Sequence, residues 1–215
     1  MGAIESTAGV VAPRQERSLA TLNRVLDAAE ELLVDRRLED VTLTEILERS
    51  GVSVGAFYAR FQNRQALIAH IYDRYDRRQT EGAQRVLDPA RWEGRSLEQR
   101  VELLCRYSVF IYRQEVGLLR TVALEARIHP EMVTLSQREH RTALYERLAQ
   151  LLLACREEIS HPDPDSAVRF GLLMAASVFR EKILFAGAPH ASAVQADDRN
   201  LALETARVLL AYLTQ

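Results

Sequence analysis

Apolar positions along this chain recur at spacings of three and four residues, the period of an amphipathic helix. Leu22, Val25, Leu26, Ala29, Leu32 and Leu33 predict a first helix from about Arg17 to Asp35, with a polar connector, Arg36 to Val41, behind it. Leu67, Ile68, Ile71, Tyr72 and Tyr75 predict another after Asn63, whose charged run DRYDRRQTE continues into solvent. The run LDPARWEGR, with Pro89 and Gly94, reads as a break. From Ser96 the pattern changes, because helices become apolar on most of their circumference and must be buried on several sides. Leu97 to Gln114 is the clearest case. A shorter helix runs from Gly117 to Arg127, and one with Pro130 in its first turn runs to about Ser160. The last two span about Pro164 to Phe185 and Asp197 to Leu213. The turn HPDPD precedes them, with Asp163 or Asp165 as a cap rather than a metal ligand. The fold class predicted is all-α.

Two short helical patterns between Thr42 and Arg64 organise the rest. Thr42 and Glu45 have the spacing of a capping box, in which hydroxyl and carboxylate each satisfy a backbone N–H at a helix start. Ile46 and Leu47 give that helix an inward face. Gly51 can leave it in the left-handed conformation without a Cβ clash. Ser53 is a second N-cap, followed by Val54, Phe57, Tyr58 and Phe61 at helical spacings, and Asn63 can cap a third helix. The pattern is a helix-turn-helix. No Asp or Glu occurs between Arg49 and Tyr72, whereas Arg49, Arg60 and Arg64 all fall there, so this window supplies a local positive field suited to phosphates. On spacing alone a solvated helical hairpin is the competing reading.

Gly51 to Leu67, GVSVGAFYARFQNRQAL, also resembles the TetR-type transcriptional regulators, and the resemblance extends over roughly Ser18 to Tyr75. It implies that Thr42, Ser53, Tyr58 and Arg64 touch phosphates, and that Thr44, Val54, Gly55, Ala56, Ala59 and Arg60 face base edges. Val54 stands where such proteins often have Lys, Ala56 where they often have Thr, and Ala59 replaces a larger side chain. Base reading then rests on few contacts. Arg60 can bond guanine O6 and N7, and alanine methyls can meet thymine methyls. The resemblance further implies dimerisation through the final helices, two recognition helices about one DNA turn apart, and a ligand that shifts their spacing.

Composition adds bounds. The chain has 215 residues, 47% of them hydrophobic, which is ample for a core. Net charge is −2 and the pI about 6.2, so DNA binding would be driven by a patch and not by overall charge. Lys182 is the only lysine. Cys105 and Cys155 lie in apolar helical patterns and read as small buried hydrophobes. No apolar run reaches a membrane span and the N-terminus lacks a signal-peptide pattern, so a cytoplasmic protein is expected.

The domain reading is residues 1–16 as a disordered arm, in which Arg14, with Arg17 just beyond it, reads first as part of a solvated tail and second as a contact to the DNA backbone or minor groove, then 17–79 as the helix-turn-helix DNA-binding domain. Residues 80–215 form a helical bundle for effector binding and dimerisation. Tyr107, Phe110, Tyr112, Glu125, His129, Met132, His140 and Met174 are the candidate effector contacts, supplying an apolar pocket with a few polar groups. Leu172, Ala175, Ala176, Phe179 and Ile183, with Ala202, Ala206, Leu209, Leu210 and Leu213, are the candidate interface of a homodimer. No metal, cofactor or catalytic constellation is expected. The expected function is a repressor that binds a palindromic operator and is released by a small apolar molecule. The alternative is a helical protein–protein interaction module without specific DNA binding.

Overall fold

The computed structural model describes residues 14–34 and 36–215, and every regular element among them is helical. The chain divides into two compact units, Met1–Leu67 and Ile68–Gln215. The division falls inside a single helix. The boundary drawn from sequence at 79/80 lies in that same helix.

In the first unit α1 spans Arg14–Leu33, α2 Leu43–Ser50 and α3 Val54–Tyr58, and α4, Arg64–Val86, begins there. Helix α1 starts three residues before the expected Arg17; residues 1–13 lie outside the described residues, as do the side chains of Arg14 and Arg17. The stripe predicted for α1 is the buried one: Val25, Leu26, Ala29 and Leu33 are in the core with Val41, Ile46, Val52, Phe57 and Phe61. Helices α1 and α2 pack on each other.

The second unit holds the rest of α4, then α5 (Leu97–Gln114), α6 (Val116–Ile128), α7 (Leu135–Leu153), α8 (Pro164–Phe179), α9 (Pro189–Ser192) and α10 (Asp198–Leu213). A turn of π-helix, Arg180–Leu184, extends α8. Helix α10 packs on α5 and α8, and α8 on α7. At Gly171 a side chain of α10 lies against the α8 backbone, since a Cβ there would stand 2.2 Å from Leu209 Cδ1.

Three local readings are corrected. The helix expected from Pro130 is instead a 3-10 turn, Pro130–Met132, followed by α7, because Thr134 and Gln137 make a capping box that starts the helix afresh. The charged run of α4 does not simply enter solvent. Asp76 within it is buried, its Oδ2 meeting His140 Nδ1 at 3.1 Å, because α4 is packed into the second unit along that length. The loop before α10 contains α9, clamped by Lys182, whose Nζ donates to the carbonyls of Ala191 at 2.6 Å and of Val194.

One buried cation organises the joint between α4 and α5. Gly94 (φ 70°) turns the chain, Asp88 caps a 3-10 turn over Pro89–Arg91, and Trp92 Nε1 donates to Val86 O at 2.7 Å. Arg100 then donates Nη2 to Trp92 O at 2.7 Å, Nε to Arg95 O at 3.0 Å and Nη1 to Leu151 O at 2.7 Å. Three carbonyls, one of them at the end of α7, depend on one guanidinium. Arg100→Leu leaves Leu151 O without this donor and Trp92 O and Arg95 O with only the longer bonds from Arg95 N (3.3 Å) and Cys155 Sγ (3.5 Å), and a buried group left unsatisfied costs about 1 to 3 kcal/mol. We expect urea denaturation to show a loss of about 3 kcal/mol, and an unchanged midpoint would refute the assignment.

Candidate functional site

The helix-turn-helix is set by its caps. Thr42 Oγ1 accepts from Glu45 N at 3.2 Å, and Glu45 Oε2 accepts from Thr42 N at 2.8 Å and from the Thr42 hydroxyl at 2.8 Å. Arg36 Nη1 approaches Glu45 Oε1 at 2.7 Å. The Arg36 guanidinium, then the Thr42 backbone and hydroxyl, hold the Glu45 carboxyl down at about 2. Gly51 ends α2 at φ 62°, with Val52 N donating to Leu47 O at 3.3 Å. Ser53 Oγ accepts from Ala56 N at 3.3 Å to start α3, and Asn63 Oδ1 accepts from Ala66 N at 2.8 Å at the start of α4. Helix α3 thus sits between two side-chain caps. Its inner anchor is Phe57, 4.8 Å from Phe61 between ring centroids.

The outer side of α3 is what remains for recognition. Val54 is 56% exposed and Tyr58 54%. Thr42, Thr44, Ser53, Gly55, Ala59 and Arg64 are also exposed, and Ala56 and Arg60 half-buried. All ten sequence candidates are therefore at or near the surface of one unit, but they are not equally available. Thr42 is occupied in the capping box. Arg64 Nη2 donates to Val41 O at 2.9 Å and to Leu38 O, bracing the connector behind α1. Arg49 Nε is spent on Glu31 at 2.7 Å. Arg60 has no ion pair or side-chain hydrogen bond among the described residues, so within the acid-free window it is the arginine left for a phosphate or a base. Arg36 was not singled out from sequence, since its partner lies nine residues on and no local pattern joins them.

The second unit contains a cavity of about 790 Å³, partly open to solvent. Its wall is largely apolar, with Leu104, Val122, Leu148, Leu172 and Leu209, and its polar groups include Tyr72, Tyr75, Tyr112, Tyr145, Gln79 and Glu115. Burial pushes the Tyr75 and Tyr112 hydroxyls up, so both are neutral donors at physiological pH. Arg141 lies 6.0 Å from the centroid of the Tyr75 ring. Burial by itself would lower the Arg141 pKa, but the surrounding Tyr75, Tyr72, Tyr145 and Asp76 leave it raised. Arg141 stays charged.

Of the eight effector candidates, Tyr107 and Tyr112 line this cavity. Phe110 is exposed outside the lining, its ring 6.5 Å from that of Tyr107 between centroids. His129 Nδ1 meets Glu131 at 3.3 Å and His140 meets Asp76, while Glu125, Met132 and Met174 stand half-buried outside the lining. The cavity residues that sequence did not single out, Arg141 and Tyr145 above all, are on polar-looking turns of α7, where charge conceals an inward face. The dimer candidates are also redistributed. Leu172, Ala175, Ala176, Phe179 and Leu209 line the cavity, and Ile183, Ala202, Ala206 and Leu213 are buried within the unit, leaving Leu210 half-buried. What α8 and α10 expose instead is Phe170 (59%), Leu173 (54%), Val178 and Val208, with the Phe170 and Tyr212 rings 5.8 Å apart.

Residues 25–71 match the family model described as bacterial regulatory proteins, tetR family. The structure resembles a TetR-family transcriptional regulator from Agrobacterium tumefaciens (TM-score 0.64, 14% identity, 92% of this chain and all of that one). It also resembles a bacterial regulatory protein of the tetR family from Rhodococcus RHA1 (TM-score 0.63, 17% identity, 90% and 96%). A protein of unknown function from Rhodococcus sp. RHA1 is similar too (TM-score 0.66, 17%, 91% and 96%). At these identities the likeness is one of fold: an N-terminal helix-turn-helix followed by a helical domain. No curated protein matches the sequence significantly.

Two chemical consequences can be measured. Glu45 has its folded pKa depressed to about 2 from an ordinary 4.5, so its contribution to stability is complete above 4.5 and is lost as pH falls toward 2. A carbon-detected NMR titration should place its midpoint well below those of the other glutamates, and Arg36→Gln should raise it. Burial raises the Cys105 thiol to about 12, so iodoacetamide at pH 8 should modify it only on unfolding. Rapid alkylation of the native protein would contradict that placement.

Proposed function

We propose, from the match of residues 25–71 to the tetR-family model, that the chain is a tetR-family transcriptional regulator, that it binds a palindromic DNA operator as a homodimer, represses there, and is released when a small molecule enters the cavity of the second unit. The observation that carries DNA binding is α3, capped by Ser53 at its start, with Val54 and Tyr58 exposed and Arg60 in no ion pair among the described residues. In this reading Ser53 and Tyr58 meet phosphates, and Val54, Gly55, Ala56, Ala59 and Arg60 face bases, with Thr44 on the neighbouring α2. Thr42 and Arg64 act chiefly by fixing α2 and the connector.

The proposed dimer uses the outward faces of α8 and α10, with Phe170 and Leu173 at its centre. Supporting this is the exposure of four large apolar side chains on two adjacent helices, a face that a second copy related by a two-fold axis would cover. Effector and operator are coupled reciprocally: a ligand that prefers the conformation with lower DNA affinity must itself bind the DNA-bound form more weakly by the same factor. Helix α4 is the natural carrier, since it starts at Arg64 and continues through the cavity-lining Tyr72, Tyr75 and Gln79.

Fluorescence anisotropy with DNA from the region upstream of the protein's own coding sequence, beside scrambled DNA, tests this at two salt concentrations. Arg60→Ala should cost about 1 to 3 kcal/mol on the specific sequence, with little change on the scrambled one. Binding that is indifferent to sequence, salt and Arg60 would favour the protein-interaction alternative. In sedimentation, Leu173→Glu should convert dimer to monomer, whereas a wild-type monomer at micromolar concentration with operator binding intact would remove the dimer.

A further inference from the structure

The charges around the cavity are unbalanced. Arg78, Arg85, Arg127, Arg141 and Arg180 line it, against Glu115 as the one carboxylate, in a protein whose overall charge is −2. Glu115 is already engaged, with Gln79 Nε2 at 3.1 Å and Arg78 Nη2 at 3.8 Å. Arg127 turns Nη1 to Ala123 O at 2.6 Å and Arg180 turns Nη2 to Ser177 Oγ at 3.0 Å, so each retains further donors. Arg141 makes no ion pair among the described residues, and its neighbours are tyrosines. Asp76, the acid in its surroundings, is committed to His140.

A guanidinium drawn out of bulk water with no counter-ion carries a desolvation cost, and clustering arginines adds repulsion. Guanidinium groups also take carboxylates bidentately, through two parallel N–H donors, and neutral tyrosine hydroxyls can donate to the same oxygens. The remaining wall is apolar. The π-turn that places Arg180 and Leu184 on this wall widens α8 at the same point, a deformation that tends to accompany binding sites.

We propose that the effector is an amphiphilic organic anion, with an apolar body against Leu104, Leu148 and Leu172 and a carboxylate received by Arg141 beside Tyr75 and Tyr145. This rests on the cavity being the effector site, and it replaces the purely apolar molecule expected from sequence by one with a charged head. A cationic amphiphile of the same length is rejected by the arginine surplus. An uncharged one forgoes the guanidinium.

The test uses three probes of one chain length: decanoate, methyl decanoate and decyltrimethylammonium. Calorimetry on the full-length protein reads binding, and anisotropy of the operator complex reads release. Decanoate should bind at least tenfold more tightly than its ester, and the ammonium compound should not bind. Arg141→Gln should abolish the preference and Arg141→Lys should keep part of it. Equal binding of decanoate and ester to wild type overturns the proposal, and needs no variant to fold. So does a preference that survives in folded Arg141→Gln. If the ester binds equally and releases DNA, the anion is wrong while the ligand response stands. If decanoate binds selectively without releasing DNA, the anion site stands and the ligand response falls. Binding by none of the three overturns the anion site.

Discussion

The second unit depends on how closely α8 and α10 approach at Gly171. With no Cβ there, Leu209 can sit against the α8 backbone, and any larger residue would have to displace a side chain that is itself buried. That seating fixes the rotation of both helices. Leu172, Ala175 and Phe179 turn toward the cavity, Ala202, Ala206 and Leu209 turn toward α5 and α8, and Phe170, Leu173 and Val208 are left outside. The small residues that let helices come near one another are therefore spent within the chain. The larger apolar groups are presented beyond it.

This explains which features were legible in the sequence. The helix-turn-helix could be read because its determinants are local: Thr42 with Glu45, Gly51, Ser53 and Asn63 each act within three or four residues, and the structure has all of them in place. The all-helical class and the break at Pro89–Gly94 were legible for the same reason. The facing of α8 and α10 was not, since both sides of α8 are apolar and long-range packing on α7 and α10, including the contact between Gly171 and Leu209, 38 positions apart, decides between them. Arg100, three carbonyls deep in the joint after α4, looks in sequence like any surface arginine. Arg141 likewise reads as one more charge on α7, and only the packing of α4 against α7 surrounds it with tyrosines.

Charge in this protein is partitioned rather than abundant. Nearly all its cations are arginines, and a net charge of −2 conceals two sites from which acids have been withdrawn: the window around α3 and the cavity wall. Elsewhere arginine and carboxylate meet in surface pairs, such as Arg113 with Asp198 and Arg169 with Glu146, which are worth little individually and are screened by salt. The arginines without acids differ in kind. Arg141 is the clearest, 6.0 Å from the centroid of the Tyr75 ring and surrounded by tyrosines.

Helix α4 gives those two sites a common element. Its first residue, Arg64, is bonded to the carbonyls of Leu38 and Val41, so its start cannot shift without disturbing the connector that precedes α2. Farther along, Tyr72, Tyr75 and Arg78 form part of the cavity wall. A coupling between sites needs only about 1 to 3 kcal/mol to change an affinity by 5- to 150-fold. A hydrogen bond to a charged group is worth roughly 1.5 to 3 kcal/mol, so one ligand contact that exists in a single position of α4 is enough. Such a contact must differ between two positions of the helix, for a ligand held equally in both shifts nothing. Under the proposed ligand response, the place for such a contact is the cluster of Tyr72, Tyr75 and Arg141, which joins α4 to α7.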